Sequence, residues 1–371
     1  MTNTSMTVRV PGKLMIAGEF AVLEPYQESV VMAVDRYVYA KLEDSNKNYL
    51  SLKAFHLNNL EWSYDGEEVV IKTEDARTTF VRNAMSTVLA YLNEKGHSPN
   101  NFHLSIRSEL DDVESGRKYG LGSSAAVVTA VVSAILKRFL PEEASSNLIF
   151  KLAAISHVKT QGSGSGADVA ASSYGGFLRY SSFQADWLLQ EYKRSETVSE
   201  LLVGDWPYLS LEPITLPEDV IMCIGWTGNP ASTSELIGNI KKLKLDNEAL
   251  YKKFMVDSKD AVRKFLEGTS DYNVPRMLDG IKQNRRAITK LGQDAGTNLE
   301  TPLLKKLSDL GEQYGGAGKL SGAGGGDCGI AFMPSREQAD KLMEAWEQVG
   351  IKPLHITTAE LGAMEYNKQD D

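Results

Sequence analysis

The chain has 371 residues, 42% of them apolar, which is enough to bury two cores and excludes a small domain held together by cross-links. A formal net charge of -9 excludes a protein whose affinity rests on a long polyanion such as nucleic acid, because neutralising a run of phosphates takes a broad field of Lys and Arg. Two cysteines, Cys223 and Cys328, with five scattered histidines, make neither a disulfide framework nor a zinc site.

The N-terminus, Met1 to Thr7, is polar and lacks the apolar core of a signal peptide. The longest apolar stretch, Ala125 to Leu136, contains Thr129 and Ser133 and is too short to span a bilayer. An enzyme of the reducing cytoplasm is expected, with no nucleic-acid or membrane partner.

In chain order, Val30 to Leu42 predicts a half-buried strand, because Val38, Ala40 and Leu42 alternate with Tyr37, Tyr39 and Lys41. Thr78 to Tyr91 predicts a helix. Phe102 to Arg107 alternates cleanly, Phe102, Leu104 and Ile106 against His103, Ser105 and Arg107, and predicts an antiparallel strand. The Ala/Val-rich stretch Ser124 to Phe139 is apolar on nearly every side, as a buried helix would be.

From Phe183 to Pro217 periodicity is lost among Trp187, Trp206, Pro207, Pro213 and Pro217, so the domain connection is expected there, giving domains 1–205 and 206–371. The second half is mainly helical. Leu303, Leu304, Leu307 and Leu310 mark one stripe, and Ala339, Leu342, Met343, Trp346 and Val349 another, with strands at Val220 to Gly225 and Cys328 to Phe332. Ser335 and Gln338 are spaced as a capping box, and Gly350 is placed to end that helix.

Three Gly-rich segments are candidates for anion binding. In Gly120-Leu121-Gly122-Ser123-Ser124-Ala125-Ala126 two glycines allow a tight backbone, two serines offer a cap and hydroxyls, and an apolar helix begins at once. Unpaired N–H groups at such a helix start face a phosphate and the helix dipole favours its charge; an ordinary Ser-capped helix after a turn has the same pattern. Between Gly315 and Gly329 eight of fifteen residues are glycine, as in a loop whose backbone approaches another group closely. The pattern GxxxxGK[ST] is absent around Lys319. Gly324, Gly326 and Gly329 do fit GxGxxG, but Ile330 to Met333 after them reads as a strand, which excludes the dinucleotide fingerprint.

Together with Pro11-Gly12-Lys13-Leu14-Met15-Ile16-Ala17-Gly18-Glu19 and Lys319-Leu320-Ser321-Gly322-Ala323-Gly324-Gly325-Gly326-Asp327, the central loop resembles the three ordered signatures of the GHMP kinases, the family of galactokinase, homoserine kinase, mevalonate kinase and phosphomevalonate kinase. Trp226-Thr227-Gly228-Asn229-Pro230-Ala231-Ser232-Thr233, the run Gln161 to Ala170 and the run Gly18 to Pro25 resemble the phosphomevalonate kinase branch. Phe20 stands where mevalonate kinases are expected to carry His, and His157 near where they carry a Glu metal ligand.

The resemblance implies an α+β fold of two domains, an N-terminal α/β sandwich and a C-terminal ferredoxin-like domain, with the active site in the cleft between them. It implies ATP and Mg2+ as co-substrate and cofactor, and phosphomevalonate as acceptor. Gly120, Leu121, Gly122, Ser123, Ser124 and Ala125 would wrap the ATP phosphates, with the hydroxyl of Ser124, or alternatively that of Ser123, on the metal. Lys13 would sit beside the transferring phosphoryl group, and Asp168 opposite it, orienting Lys13 or the metal; capping of the Ala/Ser stretch that follows is compatible with that role.

A phosphate acceptor, with a second pKa of about 6, is already largely dianionic at neutral pH and needs no strong base. The harder task is to bring a dianion against ATP, since two unit charges 4 Å apart repel by about 4 kcal/mol at an effective dielectric of 20. Lys118 is the candidate for the acceptor phosphate, assisted by Ser165, Ser232, Ser321 and Ala323, while Arg117 and Lys319 are lesser candidates for it that read rather as solvated charges. Other readings are a different kinase of the family, a non-catalytic metabolite sensor on the same fold, or a structural scaffold.

Overall fold

The computed structural model describes residues 5–112, 116–229 and 233–367. In it the predicted alternation becomes two long antiparallel strands, β1 (Ser5–Ala17) and β2 (Glu28–Asp44), with Ser5 opposite Glu43 and Ala17 opposite Val30. Val38, Ala40 and Leu42 are buried on one face while Lys41 reaches the other, as a period of two dictates. The remaining strands are β3 (Tyr49–Leu52), β4 (Leu57–Tyr64), β5 (Val69–Ile71), β6 (Phe102–Ser108), β7 (Phe177–Ser181), β8 (Ser210–Ile214), β9 (Ile221–Trp226), β10 (Ala317–Leu320), β11 (Cys328–Met333), β12 (Lys352–Leu354) and β13 (Met364–Glu365).

The first sheet runs β13-β1-β2-β6-β3-β4-β5, with β7 added to the lower half of β2 and β8 to β7. β6 is antiparallel to β2, as expected, but parallel to β3, which the alternation could not show. Against the sheet lie α1 (Thr79–Glu94), α2 (Ser123–Phe139), α3 (Ser146–Gln161) and α4 (Ala167–Tyr174), with α2 and α4 on β1 and β2 and α1 and α3 on α2. Enclosure on several sides explains why α2 is apolar nearly all round, with every residue from Val128 to Leu136 buried.

The second sheet has the order β10-β11-β9-β12, all antiparallel, which is the order of a ferredoxin-like β-α-β-β-α-β unit. Helices α5 (Ala185–Arg194) and α6 (Val198–Val203) precede it in the chain; α7 (Thr233–Asp246), α8 (Glu248–Ser270), α9 (Val274–Asp294) and α10 (Pro302–Gln313) fill its first crossover and α11 (Arg336–Gln348) its second. The predicted cap is present: Ser335 Oγ accepts from the Gln338 N–H at 3.3 Å, and Gly350 follows the helix at φ 80°.

The expected boundary at 205/206 needs correction. β8 pairs with β7, so the first domain continues through Ile214, and the chain returns to it at β13. The Trp- and Pro-rich stretch is also no open linker. Trp206 packs on Phe183 (5.2 Å between centroids), Trp187 (6.0 Å) and Phe150 (6.2 Å), and its indole N–H donates to the Leu201 carbonyl. Pro213 fits because β8 is an edge strand, where a missing donor is tolerated.

Candidate active site

The glycine loop owes its shape to close packing. Gly122 caps α2 in the left-handed conformation (φ 76°), and no side chain caps the helix, so the serines are not the cap that their position predicts. They occupy the first helical turn, where backbone N–H groups lack intrahelical partners. A Cβ on Gly122 would stand 2.9 Å from Lys13 Cγ and 3.6 Å from Asp168 Cβ. Gly120 is at φ 82°, and a Cβ there would meet the Asp327 side chain at 2.7 Å. Leu121 contributes backbone only: its side chain is buried, and its carbonyl accepts from the Lys13 N–H at 2.8 Å.

Three sequence-distant groups therefore meet at the start of α2. Lys13 lies on β1 just past the bulge at Gly12. Asp168 lies in the first turn of α4, whose cap is Gly166, and its Oδ1 accepts from the Val169 N–H at 3.0 Å; it is thus not the N-cap. Lys13 and Asp168 flank Gly122 and form no ion pair with each other among the described residues.

Two cavities open on either side of this junction. One, of about 380 Å³, is lined mostly by apolar groups, including Leu52, Phe55, Phe80, Ile106 and Val127, and ends at Ser123 and Ser124. The other, of about 200 Å³, is lined by Lys13, Glu19, Phe20, His157, Ser165 and Asp168 together with Gly322 and Ala323 from the second domain. Ser124 links them, because its Oγ lies 3.2 Å from His157 Nε2. An apolar slot running to a helix N-terminus suits a base followed by a phosphate chain, and the second cavity suits a small polar reactant held against the end of that chain.

The predicted acceptor-side residues do not all gather. Ser165 and Ala323 line the second cavity. Ser321 is buried behind it, its Oγ donating to the Met15 carbonyl at 2.8 Å. Lys118 lines the apolar cavity with Asp111, Ser123 and Ser124 instead; there burial raises the Asp111 carboxyl above its ordinary range and Lys118 pulls it back. Ser232 lies outside the described residues.

Arg117 is exposed and donates to the Gly228 carbonyl at 2.8 Å, joining the glycine loop to the second domain. The reading of Lys319 as a solvated charge is overturned. Its side chain has 0% exposure and pairs with Glu19, itself only 2% exposed, and burial lowers its pKa against the pull of that carboxylate.

Residues with no singular mark in the sequence complete the site. Tyr180 donates to the Ser165 carbonyl at 2.6 Å, and its hydroxyl and the Phe183 ring leave no space for a Cβ on Gly166, so together they fix the loop entering α4. Among the described residues no three His, Cys, Asp or Glu cluster as a metal cage, and no helix is long and apolar enough to cross a membrane. The Ser124 hydroxyl and the Asp168 carboxylate are hard oxygen donors of the kind that hold a divalent cation together with phosphate oxygens.

Comparison with known proteins agrees with this geometry. Residues 80–176 match the model of the GHMP kinases N-terminal domain, and residues 277–352 that of the GHMP kinases C-terminal domain. A phosphomevalonate kinase from Streptomyces sp. (strain CL190) is 33% identical over 97% of this chain and 99% of its own. A Lin0012 protein from Listeria innocua superposes with a TM-score of 0.92 at 37% identity, covering 97% of this chain and 99% of that one. Streptococcus pneumoniae phosphomevalonate kinase in complex with phosphomevalonate and AMPPNP superposes with a TM-score of 0.82 at 26% identity, covering 95% of this chain and 100% of that one.

Proposed function

The chain belongs to the GHMP kinase family, and from that premise we propose that it is a phosphomevalonate kinase. It transfers the γ-phosphoryl group of ATP to the phosphate of (R)-5-phosphomevalonate, giving 5-diphosphomevalonate and ADP, a step of the mevalonate route to isoprenoids. The observation that supports the reading best is that Lys13 and Asp168 flank Gly122 at the start of α2, where a larger apolar cavity reaching Ser123 and Ser124 and a smaller one lined by Lys13, Glu19, Ser165 and Asp168 both open.

In this reading ATP lies in the apolar cavity with its phosphates along Gly120 to Ala125, and the acceptor lies beside Lys13, Ser165 and Ala323. Phosphoryl transfer asks for alignment and charge neutralisation more than covalent help. The N–H groups of the first α2 turn and the Lys13 ammonium supply both at the transferring group. Mg2+, when bound, neutralises charge on the phosphate oxygens, and Ser124 and Asp168 are the residues that would hold it.

Asp168 orients these cations, because a phosphate dianion needs no proton removed. Lys118, on the apolar cavity, serves the nucleotide. A reducing cytoplasmic setting is in keeping with Cys223 and Cys328, both buried and unpaired.

A panel of 5-phosphomevalonate, mevalonate, homoserine and galactose with Mg-ATP, read by coupled ADP release and a mass spectrum of the products, tests the assignment. We expect turnover with 5-phosphomevalonate and a product carrying one more phosphoryl group. Preferential turnover of mevalonate or of a sugar would reassign the acceptor, and binding without ADP release would favour a sensor.

A further inference from the structure

The hydroxyl of Ser124 has no helical carbonyl to donate to. Elsewhere in the molecule Ser and Thr inside helices donate back to the carbonyl four residues earlier, as Ser156 does to Leu152, Thr160 to Ser156 and Ser308 to Leu304, each at 2.8 Å. Ser124 is the second residue of α2, so the position four back, Gly120, lies outside the helix. Its hydroxyl meets His157 instead, with Oγ 3.2 Å from Nε2.

His157 is held firmly in this contact. It is 3% exposed on α3 and borders the smaller cavity with Lys13 and Asp168. Phe80, which lines the apolar cavity, lies against its ring at 5.4 Å between centroids and 35° between planes. Ser124 is only partly buried and lines the apolar cavity beside Ser123. The serine thus faces the apolar cavity while a packed imidazole from the other side holds its hydroxyl.

A serine hydroxyl carries one hydrogen and two lone pairs. Free to rotate, it would donate to the nearest phosphate oxygen; with its hydrogen bound to a ring nitrogen, it keeps both lone pairs for a divalent cation. A hydrogen bond behind a ligating group also fixes its orientation and makes it a better ligand. We propose that His157 Nε2 accepts the hydroxyl hydrogen of Ser124 and so makes Ser124 Oγ, rather than Ser123 Oγ, the helix-borne ligand of the cation that accompanies ATP. His157 is a positioning residue, acting through Ser124, and the assignment requires the ring hydrogen on Nδ1. The inference rests on the nucleotide placement proposed above and not on the identity of the acceptor.

Nitrogen NMR of wild-type protein labelled at histidine tests the direction of the bond without any variant. His157 Nε2 should carry no hydrogen; a hydrogen on Nε2 reverses the bond and overturns the proposal. The role is tested by titrating ATP with and without Mg2+, acceptor absent, and by steady-state kinetics. The proteins compared are wild type, His157→Leu, His157→Gln, whose amide oxygen can replace Nε2 as acceptor, Ser124→Ala, and His157→Leu/Ser124→Ala.

His157→Leu should lose roughly 10- to 100-fold in kcat/KM for Mg-ATP and most of the tightening that Mg2+ gives to ATP binding, and His157→Gln should recover most of both. Binding of Mg-free ATP should stay within about twofold of wild type, and in the Ser124→Ala background His157→Leu should cost less than about twofold more, since nothing is left for the ring to hold. A His157→Leu loss of equal size with and without the Ser124 hydroxyl, or a matching loss in Mg-free ATP binding, marks a merely structural histidine and overturns the proposal while leaving the kinase assignment standing. Failure of wild type to bind ATP overturns the nucleotide placement, and this inference with it.

Discussion

At Lys13 the backbone and the side chain have separate tasks. The N–H is held by the Leu121 carbonyl, which fixes β1 to the glycine loop, and the side chain passes beside Gly122, Lys13 being one of the residues that line the smaller cavity. Lys13→Met should therefore lower kcat by roughly 10²- to 10³-fold, the usual effect of removing a preorganised charge from a transition state. Asp168→Asn should cost less, because no proton has to leave the acceptor; an equal or larger loss in the same kinetic assay would assign Asp168 to proton abstraction.

Lys118 shows where residue-scale reading of the sequence stops. Its nearness to Gly120 marked it for phosphate, but the sequence does not say on which side of the α2 N-terminus a neighbouring side chain falls. It lines the apolar cavity, so Lys118→Ala should raise KM for ATP and leave KM for phosphomevalonate nearly unchanged. The opposite split would return it to the acceptor.

At the scale of elements, legibility followed the range of the interactions. The period of two at Phe102 to Arg107, the apolar run of α2 and the Ser335 cap are local patterns, and each is present as a strand, a buried helix and a capped end. The stretch from Phe183 to Pro217 misled because its order is long-range. Trp206 is buried against Phe150 from α3, and β8 accommodates Pro213 by pairing as an edge.

Trp206→Ala should accordingly destabilise the protein by about 3–5 kcal/mol, as loss of a large buried aromatic does. Denaturant unfolding checks it. A loss under about 1 kcal/mol would mean the stretch is the open linker its composition resembles.

Across the whole molecule, the two domains are joined by a buried ion pair whose partners are 300 residues apart, a separation that no sequence window spans. Lys319 looked like a surface charge because Lys is seldom fully buried; Glu19 accounts for the exception. Lys319→Met alone should cost about 3–5 kcal/mol by leaving Glu19 uncompensated, while Glu19→Leu/Lys319→Met should recover much of that stability. Thermal melts of the three proteins decide it, and equal losses in single and double variants would mean the pair does not couple the domains.

The three signature loops were legible individually. Their convergence was expected from the family resemblance alone, and its closeness rests on packing at Gly122, Gly120 and Gly166 that leaves no room for a Cβ. The central claim is that two cavities meet at that convergence, and a crystal structure with 5-phosphomevalonate and a non-hydrolysable ATP analogue tests it most directly. We predict the base among Phe55, Phe80 and Ile106, the γ-phosphate at the α2 N-terminus beside Lys13, and the acceptor phosphate in line with it from the side of Ser165 and Ala323. An acceptor bound with Lys118 in the apolar cavity, or a γ-phosphate remote from Lys13, would contradict it.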